Sequence, residues 1–147
     1  MRWLRQLINV LTGVTLFGLI VGLVSRGRPQ WNSEYGLLVF FDCKIPWKYA
    51  SAMTFGDVVV LITPPHRWSS FEEMPPGLLG HEMKHAEQYC FVLGFPYFPL
   101  YWLACAYSWV KSGDHWSYNV FEARAGHEAG GYQKRPSRRN RKSALHS

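Results

Sequence analysis

The 147-residue chain is 48% hydrophobic and 16% aromatic, enough apolar material for one globular core, which excludes disorder over most of its length. Its net charge of +6 is carried by the ends: residues 1–28 contribute +4 and residues 134–147 contribute +6, whereas residues 29–133 contribute −4. We therefore expect no nucleic-acid partner, since a nucleic-acid-binding domain places its basic patch on the folded part, and the basic ends fit an anionic membrane surface better.

Residues 7–24 form an 18-residue, mostly apolar run with arginines on both sides. The run is at the lower end of the length that crosses a bilayer. A cleavable signal peptide is the alternative, but the run is long for such a peptide and no clear A-x-A cleavage site follows it. We favour a retained membrane anchor over residues 1–28, whose orientation stays open because both flanks are basic. Gly18 and Gly22 form a small-xxx-small pair, a pattern that is usually incidental in apolar helices.

A folded domain is expected over residues 29–133, beginning with a linker at residues 29–34. Residues 37–41 and 55–62 are short apolar runs rich in strand-forming side chains. Because they are about 15 residues apart, we expect an antiparallel pair or a small antiparallel sheet. The proline-rich stretch at residues 64–76 indicates a loop.

Two helices are predicted after the loop. The first covers about residues 76–93, where Gly94 and a following proline stop it. The second covers about residues 118–129 and precedes a basic tail, residues 134–147, which is expected to be disordered. The fold class is therefore α+β, with an N-terminal apolar helix, a small antiparallel sheet or hairpin, and these two helices.

Residues 91–110, which begin in the last turn of the first helix, contain no charged side chain. Three interpretations compete: a buried core helix over about residues 99–111, a membrane-hugging or re-entrant hairpin, and a second span. We favour the core helix, because two prolines near the start would break a simple span.

The chain has three cysteines, Cys43, Cys90 and Cys105, and no CxxC spacing. An odd number cannot pair completely within one chain. We expect them to be buried small apolar residues and not disulfides.

The helix predicted at residues 76–93 contains the turn His81-Glu82-Met83-Lys84-His85. Histidines four residues apart lie on the same face of a helix, so two neutral imidazoles there can bind one Zn²⁺. Glu82, beside the first histidine, can reach a water on that metal. The spacing therefore predicts a zinc centre with a glutamate as general base.

A catalytic zinc has three protein ligands and one open position, so the turn needs a third ligand. The extended pattern with a third histidine six residues further on is absent, because residue 91 is Phe. Glu122 is the favoured ligand, since small residues around it let its helix approach closely. His127 is roughly 140° around a helix from Glu122, so the two cannot both face one metal. The downstream candidates are Asp114, His115, Glu122, His127 and Glu128.

The chemistry follows from these residues. A zinc ion would lower the pKa of a bound water towards 7. Glu82 would accept the proton of that water as it attacks a peptide carbonyl and pass it to the leaving amine. If the strand at residues 55–62 is an exposed edge, an extended peptide could add to it through main-chain hydrogen bonds.

The chain resembles the small gluzincin-type zinc peptidases, including the minimal ones, on its H-E-x-x-H turn and downstream glutamate. It is especially similar to uncharacterised bacterial and phage proteins on residues 80–88, on the aromatic segment at 95–101 and on Asn119-Val120-Phe121-Glu122, and the resemblance covers residues 36–130. It implies a short antiparallel sheet, an H-E-x-x-H helix and a glutamate-bearing helix. It also implies His81, His85 and Glu122 as zinc ligands and Glu82 as the general base. Val120 departs from the group, which often has Pro there.

We therefore expect a membrane-associated zinc metallopeptidase that binds one zinc, acts on a peptide or protein substrate and has membrane lipid as a partner. The expected location is the membrane, with one span or peripheral association and with its orientation open. The alternatives are a non-catalytic, zinc-stabilised membrane or phage-associated interaction protein, and a small membrane protein whose histidines are incidental.

Overall fold

The computed structural model describes residues 2–46, 51–62 and 68–140; parts of the predicted loop and of the predicted basic tail therefore lie outside the described residues. Within them the fold is α+β, with a four-stranded mixed sheet and helices. The helices are α1 (Arg2–Leu11), α2 (Val14–Val24), α3 (Leu78–Phe91), α4 (Tyr97–Ser112) and α5 (Val120–Ala125), and a short 3-10 turn at Phe71–Glu73 precedes α3. The strands are β1 (Arg28–Asn32), β2 (Leu37–Cys43), β3 (Ala52–Phe55) and β4 (Val58–Ile62).

The sheet has the order β1-β2-β4-β3. Strands β1 and β2 are antiparallel, as are β3 and β4, but the two central strands β2 and β4 are parallel, with Val39 opposite Val59. The prediction of an antiparallel sheet is therefore wrong for the central pair. The physical reason is a turn at Gly56 and Asp57, which splits the predicted strand 55–62 and reverses the chain once more before β4.

The predicted linker at residues 29–34 contains β1, so that prediction is wrong for residues 29–32. Pro29 is compatible with a strand here because β1 is at the edge of the sheet, where a missing N–H need not break a ladder.

The N-terminal apolar run is not one helix. It contains the end of α1 and all of α2, and Gly13, with φ +79°, separates the two helices. Among the described residues, no single helix is both long and apolar enough to cross a bilayer; α1 and α2 reach that length and composition only together, across a bend of 77°.

Helix α2 packs on one face of the sheet through its glycines. A Cβ added at Gly18 would lie 2.8 Å from the Cβ atoms of Phe55 and Val58, and one added at Gly22 would lie 2.5 Å from the Phe40 ring. The small-xxx-small pair therefore allows close approach of α2 to the sheet, whereas the sequence suggested only an incidental pattern.

Helix α1 is attached to the domain by a buried polar cluster. Arg5 Nε donates to Asp57 Oδ1 at 2.7 Å, and Asn9 Nδ2 donates to Asp57 Oδ2 and to the Ala86 carbonyl, each at 3.0 Å. These contacts, together with the bonds of Arg5 Nη2 to two backbone carbonyls, offset part of the cost of burying the ion pair. The cluster ties α1 to the β3–β4 turn and to α3, while the domain limits at residues 28 and 133 stay predictions.

Helix α3 covers the opposite face of the sheet. Alternate residues of β2 point to the two faces, so Leu37, Val39 and Phe41 pack with α3, whereas Phe40 belongs to the α2 side. The α3 side forms the larger buried cluster, which consists of Leu37, Val39, Phe41, Val59, Leu61, Met74, Leu78 and Ala86. Helix α3, which contains the turn from His81 to His85, is therefore packed against this face of the sheet.

Helix α4 forms where a buried core helix was predicted, but it is not a core helix. Tyr97, Ser108 and Ser112 are buried, whereas Trp102 is 70% and Leu103 68% exposed. The reason is that α4 packs beside α5 and the end of α3 through one side only. Helix α5 is shorter than predicted and ends at Ala125. No disulfide links the three cysteines; Cys43 is buried, whereas Cys90 and Cys105 are half-buried, so the expected burial is wrong for those two.

Candidate metal centre

Two histidines of α3 and one glutamate of α5 meet between the helices. His81 Nε2 lies 3.0 Å from His85 Nε2 and 3.3 Å from Glu122 Oε2, and His85 Nε2 lies 3.6 Å from Glu122 Oε1. One donor atom from each residue lies within 4.8 Å of the others. The three side chains are buried and together could hold a metal ion.

A second observation also indicates that the Glu122 carboxylate could bind a metal. Its Oε2 atom is buried and has no hydrogen-bond partner among the described residues. Buried polar atoms are nearly always paired, so an orphaned carboxylate oxygen needs an explanation. A cation placed between the two imidazoles and this oxygen would provide one.

Each histidine is oriented through its other ring nitrogen. His81 Nδ1 lies 2.9 Å from the Gly126 carbonyl, and His85 Nδ1 lies 2.9 Å from Gln88 Oε1 and 3.0 Å from the Tyr97 hydroxyl. Because carbonyl oxygens only accept, both Nδ1 atoms carry the proton. The lone pairs on both Nε2 atoms are therefore directed into the centre, as metal ligation requires.

Gln88 connects the helices around the centre. Its Oε1 accepts from His85 and, at 3.2 Å, from the Tyr97 hydroxyl, while its Nε2 donates to the Phe121 carbonyl at 2.9 Å. One amide therefore fixes a candidate ligand of α3 relative to α4 and α5. The sequence marked Gln88 only as part of a motif, and Tyr97 only as part of an aromatic segment.

Glu122 is held as an anion. Burial opposes its ionisation, but the adjoining His81 and His85 imidazoles and the Tyr101 hydroxyl hold the pKa of this carboxyl well below its usual range. The Tyr101 hydroxyl donates to Oε1, and burial together with the Glu122 charge raises the pKa of Tyr101, so this phenol stays protonated. Sequence reasoning missed Tyr101, and only its position in the aromatic segment could have suggested it.

Helix α5 is short, and Asn119 fixes its start. The Asn119 side chain accepts from the Phe121 N–H at 2.9 Å, which caps the helix. Its Nδ2 donates to Cys105 Sγ of α4 at 3.3 Å. The cap therefore positions Glu122, three residues further on, against α4 and α3.

Glu82 lies beside the histidines, and its carboxylate is fixed from the sheet. The Thr54 hydroxyl of β3 donates to Glu82 Oε2. Strand β3 is the edge of the sheet nearest α3, whereas β4 is internal. The edge strand is therefore β3 and not the strand expected at residues 55–62; β3 contributes only Phe55 from that range, and its Thr54 and Phe55 are buried.

The other candidate ligands lie outside this group. His127 Nε2 contacts the Trp116 carbonyl at 2.9 Å, and His115 stacks on Trp109 with ring centroids 5.0 Å apart. Asp114 accepts from the N–H groups of Trp116 and Ser117, which organises the turn before α5. Glu128 is exposed.

A turn after α5 covers the centre, a feature that the sequence did not reveal. A Cβ added at Gly130 would lie 2.6 Å from His81 Cε1 and 2.9 Å from His81 Nε2. The Tyr132 ring lies 6.1 Å from the His81 ring and stacks on Trp116 at 5.1 Å. The four predicted site residues, His81, Glu82, His85 and Glu122, are all buried, and none of them is more than 7% exposed as a whole residue.

Comparisons of the chain with protein-family models, with curated proteins and with solved structures find no match. The candidate centre therefore rests on its own geometry. The resemblance to gluzincin-type peptidases stays a prediction, carried by residues 80–88, 95–101 and 119–122.

Proposed function

We propose that this protein is a membrane-associated zinc metallopeptidase that hydrolyses peptide bonds. The observation that carries the proposal is the meeting of His81, His85 and Glu122 beside Glu82, with one carboxylate oxygen left unpartnered. Two imidazoles and one carboxylate are the donor set of many catalytic zinc sites. The same set also suits Fe(II), so both metals belong in any metal analysis.

Zinc bound there would supply a water of lowered pKa and polarise a peptide carbonyl. Glu82 accepts the proton of the attacking water and delivers it to the leaving amine, so the carboxylate is regenerated as the peptide bond breaks. Thr54 bonds one oxygen of Glu82 and so leaves the other as the proton acceptor. Gln88 and the Gly126 carbonyl keep the two imidazoles in the required tautomer.

The substrate class we propose is a peptide or protein segment in an extended conformation. Strand β3 is an edge strand, and it contributes Thr54 next to the general base. An extended chain that pairs with β3 would gain main-chain hydrogen bonds and lie along the centre. Side chains of the substrate contribute specificity beyond these bonds.

A second candidate is a non-catalytic, zinc-stabilised interaction protein. Burial of the centre favours it, since Gly130 and Tyr132 lie against His81. A closed site can hold a structural metal, and removal of that metal would then unfold the domain.

Cleavage of a mixed peptide library by the purified full chain, followed by mass spectrometry, tests the proposal. We expect cleavage that a chelator abolishes and that about one equivalent of zinc restores. One bound equivalent without any cleavage would leave the second candidate, and cleavage that persists without metal would contradict the zinc mechanism.

A further inference from the structure

The exposed apolar side chains of this protein are concentrated on neighbouring helices. All the exposed large hydrophobic residues of the described chain except Trp31 and Val120 belong to α1, α2, α4, the turn between α3 and α4, or the last position of α3, Phe91. We call this set the helical apolar surface. Its most exposed members are Trp3, Leu11, Leu23, Val24, Phe91, Leu93, Trp102, Leu103 and Val110.

The helical apolar surface is continuous although its two sequence segments are far apart. The Phe17 ring of α2 lies 6.1 Å from each of the Phe95 and Phe98 rings, and a Cβ added at Gly94 would lie 2.6 Å from Thr12 Cβ. Residues 6–25 and 88–110 contain no Asp, Glu, Lys or Arg. A patch of this extent on a protein surface marks a partner or a membrane.

We propose that the helical apolar surface inserts into one leaflet of an anionic lipid bilayer, with α1, α2 and α4 at the interface and no segment crossing it. Helices α1 and α2 have 10 and 11 residues. They are therefore each about 15 Å long, half of the roughly 30 Å of a bilayer core. Their bend of 77° prevents a straight crossing.

The inner faces of the same helices are committed to the domain. Arg5 and Asn9 hold α1 to Asp57, and Gly22 allows α2 to contact the Phe40 ring. A crossing would break the buried ion pair and uncover the sheet. Attachment in the plane of the membrane keeps these contacts and covers only the outer faces.

The charges at the borders of the surface favour anionic lipid as the occupant. Arg26 lies two residues after the end of α2 and is exposed, and the Lys44 N–H donates to the Ser25 carbonyl at 2.9 Å, which places the exposed Lys44 at the same end. Lys111 lies in the last turn of α4, which also carries the exposed Trp109, and its Nζ donates to the hydroxyl of the exposed Tyr107 at 3.0 Å. Cations and tryptophans at the margin of an uncharged surface match a headgroup layer.

Helix α4 links this surface to the candidate metal centre. Tyr97 and Tyr101 contact His85 and Glu122 on one side of α4, while Trp102 and Leu103 are exposed. If the proposed peptidase function holds, the substrate is a peptide segment that lies close to the leaflet.

Vesicle flotation of the full chain tests lipid docking without any need for catalysis. The vesicles contain phosphatidylcholine and phosphatidylglycerol in about a 7:3 ratio. The double variant Leu16→Glu, Leu103→Glu places charges at side chains that are 60% and 68% exposed, and Trp31→Glu, at a side chain 57% exposed on β1, is the matched control. We expect the double variant to lose at least about tenfold in vesicle affinity and the control to keep wild-type affinity, because only the first pair meets lipid.

A second measurement separates in-plane attachment from a span. The full chain carries one epitope tag at each end, is reconstituted into sealed vesicles, and is digested from outside. In-plane attachment predicts that each molecule loses both tags or keeps both. Molecules that keep one tag each would establish a span and overturn the inference, while membrane association would stand.

Two other outcomes also overturn the proposal. If the wild type does not bind the vesicles but forms an oligomer that the double variant abolishes, the surface pairs with a second copy of the chain. If wild type, double variant and control float equally, the surface does not contact lipid. Peptide cleavage, assayed on soluble peptides, reports separately on the proposed function.

Discussion

The candidate metal centre and the helical apolar surface lie on two sides of α4 and are built in opposite ways. The centre is buried, and its side chains are fixed by specific polar partners from α3, α4, α5 and β3. The surface is exposed and uncharged, and its outer side chains have no fixed geometry to maintain. A centre of this kind depends on individual atoms, whereas the surface depends on total apolar area. The two regions should therefore respond differently to single substitutions.

The largest effect is expected at Glu82. Glu82→Gln keeps the shape and the Thr54 contact but removes the proton acceptor, so the rate of peptide cleavage should fall by about 10²–10⁴-fold. Metal content should stay at the wild-type level, because Glu82 is not a proposed ligand. Glu87→Gln, an exposed glutamate on the same helix, is the control and should keep full activity. Undiminished cleavage by Glu82→Gln would remove Glu82 from the mechanism.

The next largest effect is expected at Gln88, which contacts the candidate ligand His85. Gln88→Ala removes one of the two partners of His85 Nδ1, leaving only the Tyr97 hydroxyl, and also removes the link to the Phe121 carbonyl. Zinc affinity, measured by competition with a chromophoric chelator, should fall by about 10–100-fold. Glu87→Ala changes a neighbouring exposed side chain and should leave the affinity unaltered. Equal affinities for wild type and Gln88→Ala would show that Gln88 only supports packing.

Helix α2 has one face packed on the sheet and one exposed face, and the two faces should respond differently to substitution. Gly22→Ala adds a Cβ 2.5 Å from the Phe40 ring, so the free energy of unfolding should fall by about 1–3 kcal/mol. Leu23→Ala changes the adjacent exposed residue and should alter stability by no more than about 0.5 kcal/mol. Urea denaturation of the two variants measures the change in the free energy of unfolding that each substitution causes. The reverse ranking would mean that α2 is not seated on the sheet through Gly22.

The smallest effect is expected at Thr54. Thr54→Val removes the hydroxyl that orients Glu82 while keeping a similar volume, so cleavage should slow by about tenfold, the cost of one hydrogen bond to a charged group. Metal content and urea midpoint, measured on the same preparation, should remain close to wild type. A loss of metal in this variant would assign Thr54 to the support of the centre and not to the base.

The sequence predicted the features that depend on local spacing. The pairing of His81 with His85 follows from the period of a helix, whereas the small residues around Glu122 made it the favoured ligand but do not determine the tertiary contact of α5 with α3. The fold class was also predicted, as were the positions of α3 and of β2. These features depend on contacts that neighbouring residues or simple periodicity determine.

Tertiary contacts decided the rest. Gly13 breaks the N-terminal helix, since the two halves must pack against different parts of the domain. The direction of β4 relative to β2 depends on one extra turn at Gly56. Gly130 and Tyr101 reach the centre from positions whose local sequence contains no metal motif, so only the folded chain brings them there.

Metal content tests the central claim most directly. Zinc and iron are measured in purified wild type, Glu122→Gln and His127→Ala, where the last variant removes the histidine that contacts Trp116. The account predicts about one equivalent of zinc in wild type and in His127→Ala, and less than about a tenth of an equivalent in Glu122→Gln. A full equivalent of zinc in Glu122→Gln, with loss of zinc in His127→Ala, would contradict it.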